Sequence, residues 1–209
     1  MNLWSFIIKG GLIMVPVILC GILTLGIIIE RLISLRNAEF DSEKFIKAVE
    51  EILKRRKIKE SIELCDSIDK PVPRIIKAGL LKSDRSREEI KDSIDDAAAH
   101  EIPVLEKYLG VLAAVATVAP LLGLLGTVTG LIKAFMVIET KGGLVNPGDL
   151  AGGIWEALVT TVAGLIVAIP AYIAYNYFVT RVNSLILQME KSATRLLDIL
   201  FFLKSEEEI

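Results

Sequence analysis

Three stretches of the chain carry no charged residue: Gly10–Ile29 (20 residues), Tyr108–Ile132 (25) and Ala157–Thr180 (24). Each reaches the roughly 20 residues that a helix needs to cross about 30 Å of hydrocarbon at about 1.5 Å per residue. Long uniform runs predict helices, whereas the strands of a membrane barrel would alternate over short segments. The first run is too long for a typical signal-peptide core. Glu30-Arg31 follows it directly, without a small-residue cleavage pattern, so it is expected to be retained. The predicted fold is all-α, a polytopic membrane protein with three transmembrane helices.

Between the first and second runs the pattern changes to helical amphipathicity. Phe45, Val49, Ile52 and Leu53 share a spacing, as do Ile58, Ile62 and Cys65. Asp41 or Ser42 is the expected N-cap, with Glu43 in the first turn. Pro71 and Pro73 mark a break, after which Ile75, Ile76, Gly79 and Leu80 restart a helix. Arg87–Glu106 is expected to be a helix that leads straight into the second span. The whole block is read as a solvated helical hairpin rather than a ligand-binding domain. After the third run, Leu185, Met189, Ala193, Leu196, Leu197 and Leu200 keep helical spacing, so that span is expected to continue as an amphipathic helix. Asn146-Pro147-Gly148-Asp149 is a turn signature, with Asp149 the expected cap of span 3. The predicted order is a stub (1–9), transmembrane helix 1 (10–35), a helical loop (36–106), helix 2 (107–138), a link (139–149), helix 3 (150–181) and a C-terminal helix and tail (182–209).

Composition sharpens this picture. Of 209 residues 53% are hydrophobic, yet 24% are charged, so the two kinds are segregated; mean hydropathy is +0.55. That excludes a soluble globular enzyme, a disordered chain and a secreted disulfide scaffold. A net charge of −2 gives no basic surface for nucleic acid. Sixteen of the 24 Lys and Arg residues fall between Arg36 and Lys107, mixed with 17 acidic ones. Near the span ends, nine basic residues lie on the side of the block and tail, against Lys9 and Lys141 on the other. The positive-inside rule then places the N-terminus outside and the block and tail in the cytoplasm. Cys20 and Cys65 occupy different environments and are not expected to meet. His100 has no second ligand type beside it, so no metal site is expected, and no cofactor motif appears.

The second and third spans differ from the first in their small residues. Span 2 carries Gly123, Gly126 and Gly130; span 3 carries Gly153, Ala157, Thr160, Gly164, Ala168 and Ala171 on one face. Small residues permit close backbone approach in lipid, so these spans are expected to pack tightly, with each other or with copies of themselves. Pro120 and Pro170 remove backbone donors and are candidate bending points. Thr127, Thr160 and Thr161 place hydroxyls in apolar surroundings, where the usual role is a bond to a carbonyl one turn back. Thr160 lies one turn from Glu156 on the same side, and Thr161 is rotated away. Glu156 is the one charge between Leu150 and Thr180. An ionisable group at membrane depth faces a cavity, a partner or an ion path; next to Trp155 it could equally be a headgroup-level carboxylate. Lys133, at the end of the second run, is expected to snorkel to the outer headgroups.

Ala119-Pro120-Leu121-Leu122-Gly123-Leu124-Leu125-Gly126-Thr127-Val128 and Gly153-Ile154-Trp155-Glu156-Ala157-Leu158-Val159-Thr160-Thr161-Val162-Ala163-Gly164-Leu165 resemble the MotA/TolQ/ExbB proton channel family, on its ExbB/TolQ side. Ala168-Ile169-Pro170-Ala171, Tyr175-Asn176 and Glu30-Arg31 also fit, and the resemblance covers nearly the whole chain. Three spans rather than four argue against the MotA branch. The resemblance implies a homo-pentameric ring in the bacterial inner membrane, with helices 2 and 3 lining the pore and extending into the cytoplasm. A single-span partner like ExbD or TolR would sit inside that pore and carry an essential aspartate. Further partners would be a TonB-like or Tol-type periplasm-spanning protein, with phospholipid around the ring. It also implies that Glu156 is the pore glutamate, that Thr127 and Thr161 are its polar threonines and that Thr160 is supplementary. The expected function is coupling of the proton motive force to transport or work at the outer membrane, without enzymatic chemistry. A TolQ-like role in envelope maintenance and a non-conducting membrane scaffold are the alternatives. A Glu/Thr lumen fits H⁺ or Na⁺; the proton comes from the resemblance.

Overall fold

The computed structural model describes residues 10–205, and the expectations for Lys9 and the N-terminal stub lie outside them. Among these described residues the helices follow in the order α1 (Met14–Ala38), α2 (Ser42–Lys54), α3 (Ile58–Asp66), α4 (Pro71–Leu81), α5 (Arg87–Leu105), α6 (Leu109–Thr140) and α7 (Pro147–Ser205). No strand occurs among the described residues. Three helical stretches, containing α1, α6 and α7, are long and apolar enough to cross a membrane. The chain forms two compact units: residues up to Arg31 with Tyr108–Phe178, and Leu32–Lys107 with the chain from Val179 onward.

In the apolar unit, α1 is preceded by a turn in which Gly11 takes a left-handed φ of +66°, and helix starts only at Met14. Met14, Val17 and Ile27 of α1 are buried, and Thr24 is turned inward with its hydroxyl donating to the Cys20 carbonyl at 2.8 Å. A Cβ on Gly21 would lie 3.3 Å from Val167 of α7, so α1 runs close to that helix. At its far end Arg31 is only 1% exposed. Its guanidinium donates to both carboxylate oxygens of Glu30 (2.5 and 2.6 Å) and lies 5.7 Å from the centroid of the Tyr108 ring. The charge is thus neutralised beside its own neighbour and capped by an aromatic face.

The charged unit is built from four helices of the block together with the later part of α7. Asp41 caps α2, its carboxylate accepting from the Lys44 N–H at 3.1 Å. Pro71 opens α4, where its missing N–H costs nothing. Ser86 and Glu89 form a reciprocal capping box at the start of α5. Val49, Leu53, Ile75, Ile76, Leu80, Ile90, Ile94 and Leu196 are buried together with Cys65. Gly79 lets α4 settle onto this core: a Cβ there would lie 2.8 Å from Ile94 and 3.0 Å from Leu196. Ion pairs rim it, among them Arg74 with Glu101 (2.7 Å), Arg87 with Asp198 (3.0 Å) and Arg195 with Glu50 (3.0 Å), together with Arg181 and Glu39.

Several boundaries differ from expectation. The block forms four helices, at the four segments whose spacing is helical, rather than a two-helix hairpin. Helix α5 does not lead straight into α6: it ends at Leu105, just after Pro103, and Tyr108 takes a left-handed φ of +65° that turns the backbone before α6 begins. Proline removes a donor from the last turn, which weakens the ladder where it ends. The link is shorter than predicted, since α6 runs to Thr140 and α7 starts at Pro147. Asp149 therefore lies inside the first turn of α7 rather than ahead of it. It reaches back to accept from the Asn146 N–H at 2.9 Å and pairs with Lys141 at 2.5 Å. Pro120 and Pro170 lie within α6 and α7 without dividing either helix.

Candidate functional site: the α6–α7 seam and Glu156

Helices α6 and α7 approach each other so closely that backbone meets backbone. A Cβ on Gly130 would lie 2.5 Å from the Gly153 carbonyl oxygen, and one on Gly153 would lie 2.5 Å from that of Gly130. One on Gly164 would meet the Ala119 carbonyl at 2.5 Å, and one on Gly123 the Thr161 Cα at 3.0 Å. Gly126 leaves room for the Thr160 side chain, and Ala157 lies against Gly130. The small residues of the two spans therefore face each other within a single chain. Without a hydrophobic driving force in lipid, such contact rests on dispersion and polar bonds.

The threonines share this seam unequally. Thr160 is 0% exposed, and its hydroxyl faces the Glu156 carbonyl (2.9 Å) and the Ala157 carbonyl (3.0 Å). The Thr161 hydroxyl lies 3.1 Å from the Gly123 carbonyl across the seam and 3.2 Å from that of Ala157. Thr127 donates to the Leu124 carbonyl of its own helix at 2.6 Å and shares no hydrogen bond with the other two or with Glu156. Pro120 lacks the N–H that would bond the Ala116 carbonyl four residues back, and it does not free the Gly123 carbonyl, which lies beyond it.

Glu156 stands one turn before Thr160 with a side chain 14% exposed. Both carboxylate oxygens accept from Lys133 Nζ, at 2.5 and 2.8 Å. A third side of the carboxylate is closed by Gly11, where any Cβ would collide with Glu156 Oε1. This corrects the reading of Lys133 as an ammonium snorkelling to headgroups: its nitrogen ends on Glu156, although its stem stays half exposed (56%). The reason is geometric. Helical side chains lean toward the N-terminus of their helix, and from Lys133 that direction leads to the level of Gly130, the residue packed against Gly153 and Ala157. Sequence reasoning missed this pair because 23 residues separate its members. The register of Gly130 on Gly153, which brings the two side chains to one level, is set by the folded chain. His100 is exposed, and both cysteines are free thiols.

A carboxylate seated between apolar helices and paired there with a lysine is a candidate functional site. Residues 67–191, more than half of the chain, match the MotA/TolQ/ExbB proton channel family.

The chain belongs to the MotA/TolQ/ExbB proton channel family.

Among its relatives, a putative biopolymer transport protein ExbB-like 3 of Synechocystis is 30% identical over 170 residues, 81% of each chain. A putative ExbB homolog of Methanothermobacter thermautotrophicus is 31% identical over 183 residues, 87% of this chain and 64% of the relative. The Tol-Pal system protein TolQ of Haemophilus influenzae is 44% identical over 90 residues, 43% of this chain and 39% of TolQ. Homologues on both the ExbB and TolQ sides make this family member a multi-pass membrane protein of the ExbB/TolQ branch.

Proposed function

We propose that the chain is the channel subunit of an ExbB–ExbD-like complex in the bacterial inner membrane, coupling the proton motive force to transport or work at the outer membrane. The observation that carries the reading is Glu156, a carboxyl held at the seam of two small-residue helices beside the threonines. In the proposed assembly five copies form a ring, α6 and α7 line its lumen, and a single-span partner like ExbD or TolR occupies it. The N-terminus faces the periplasm; the block and the tail lie in the cytoplasm, where α7 continues. Glu156, Thr127 and Thr161 form a polar girdle that a protonatable group of the partner visits, with Thr160 beside it. Moving one charge through 100 mV is worth about 2.3 kcal/mol, so a few protons suffice to shift a helix between neighbouring subunit faces. A TonB-like or Tol-type protein would receive the motion.

The test is proton flux in liposomes containing the chain with and without its partner. Glu156→Gln is expected to abolish flux and leave assembly intact. Full flux in that variant refutes the girdle, and no flux from the native complex favours a passive scaffold. A TolQ-like role is the second reading, because a TolQ relative matches the chain about as well as an ExbB relative does. The identity of the copurifying periplasmic protein separates the two.

A further inference from the structure

We propose that Lys133 is a specificity-determining residue of the ion path: its ammonium fills the cation seat of Glu156, so the site exchanges protons and bars Na⁺. This rests on the reading of Glu156 as an ion-path carboxyl. The ammonium meets both carboxylate oxygens, at 2.5 and 2.8 Å, and Gly11 closes the carboxylate from another side. A sodium ion sheds its water only where protein oxygens replace it. The oxygens that Glu156 could offer are the two that already face the ammonium. To bind, Na⁺ would have to displace a tethered cation that it cannot outcompete in charge. A proton needs no coordination shell, only one lone pair, and each carboxylate oxygen keeps acceptor capacity beyond its contact with Nζ. Among the described residues, Lys141 at this end is held by Asp149 at 2.5 Å and does not compete for Glu156.

Hydrophobic carbodiimide added to the full chain in membranes tests this directly, because it activates a membrane carboxyl for attack by a neighbouring amine. In the native chain the expected product is a Lys133–Glu156 amide, found by mass spectrometry and formed at the same rate with or without NaCl. In Lys133→Met the product becomes an N-acylurea on Glu156. A sodium series at constant ionic strength should then slow its formation in a saturating way, about tenfold once Na⁺ is about ten times its dissociation constant. Lys133→Arg should stay insensitive to sodium, and Glu156→Gln should give neither product. Labelling of Lys133→Met that ignores sodium overturns the inference, as does native modification that sodium suppresses. The liposome assay keeps the two claims apart. Proton flux together with sodium-insensitive labelling of Lys133→Met sinks the role of Lys133 alone. The expected labelling pattern in a complex that moves no protons sinks the channel reading.

Discussion

Gly130 and Gly153 each place a carbonyl oxygen where the other would carry a side chain, at 2.5 Å from an added Cβ in both directions. The contact is reciprocal and involves backbone, which cannot rotate away. Overpacking of this kind costs about 1–3 kcal/mol. Gly130→Ala and Gly153→Ala are therefore expected to lower the thermal unfolding temperature of the chain in detergent. Gly152→Ala is the control: nothing lies within 4 Å of a Cβ there, and alanine favours a helix by about 0.5–1 kcal/mol. Equal melting of all three variants would show that the seam is looser than described.

Thr160 and Thr161 separate by the same logic. The Thr161 hydroxyl contacts α6, while both contacts of the Thr160 hydroxyl stay within α7. Bonds between membrane helices average about 0.6 kcal/mol and reach about 1.7. Thr161→Val should cost stability in that range, and Thr160→Val less, since it keeps its shape under Gly126. Unfolding of the two variants in mixed micelles checks this, and a larger loss from Thr160→Val would contradict it.

Cys65 reports on the charged unit. Burial pushes its thiol up to about 12, and the thiolate is the reactive form. At pH 8 maleimide should leave it unmodified in the folded chain and label it fully in denaturant. Prompt labelling of Cys65 under native conditions would show that this core opens readily.

Acid should loosen the same unit. Lys54 and Arg195 hold the Glu50 carboxyl below its ordinary value of 4.5, and Arg74 holds that of Asp69 below 3.8. A carboxyl that releases its proton more readily when folded stabilises the fold above the unfolded value. That contribution disappears as pH falls through the lower folded one. Stability followed by Cys65 protection should thus be level near neutrality and decline below about pH 4.5. Arg195→Ala should remove only part of it, within about 1 kcal/mol, as pairs near a surface do. A rise in stability on acidification would refute the assignment.

Much of this fold was legible in the residues. The second and third uncharged runs fall within long apolar helical stretches and the first does so from Met14 onward, and of the two cap candidates Asp41 and Ser42 it is Asp41 that caps α2. The turn at Tyr108 was not legible, because left-handed backbone normally advertises itself through glycine or asparagine and a tyrosine there gives no cue. Asp149 was placed one turn too early for a similar reason: Pro147 can begin a helix as easily as end a loop. The Lys133–Glu156 pair depends on register between two helices, and periodicity within either helix carries no information about that. Glu156 itself stood out as a lone charge; its partner did not.

Because Gly123, Gly126 and Gly130 of α6 and Gly153 and Gly164 of α7 are committed to each other, the outward faces are built of bulk: Leu121, Leu125, Val128 and Ile132 on one, Leu158, Val162, Leu165 and Ile169 on the other. Whatever touches those faces, acyl chain or sister subunit, meets branched side chains that must interleave like the teeth of a comb. Such a joint forgives a swap of leucine for isoleucine and slides at little cost, whereas the glycine seam behind it permits no slippage. In the proposed ring, a shift between subunits would therefore run along the bulky outward faces and leave the glycine seam intact.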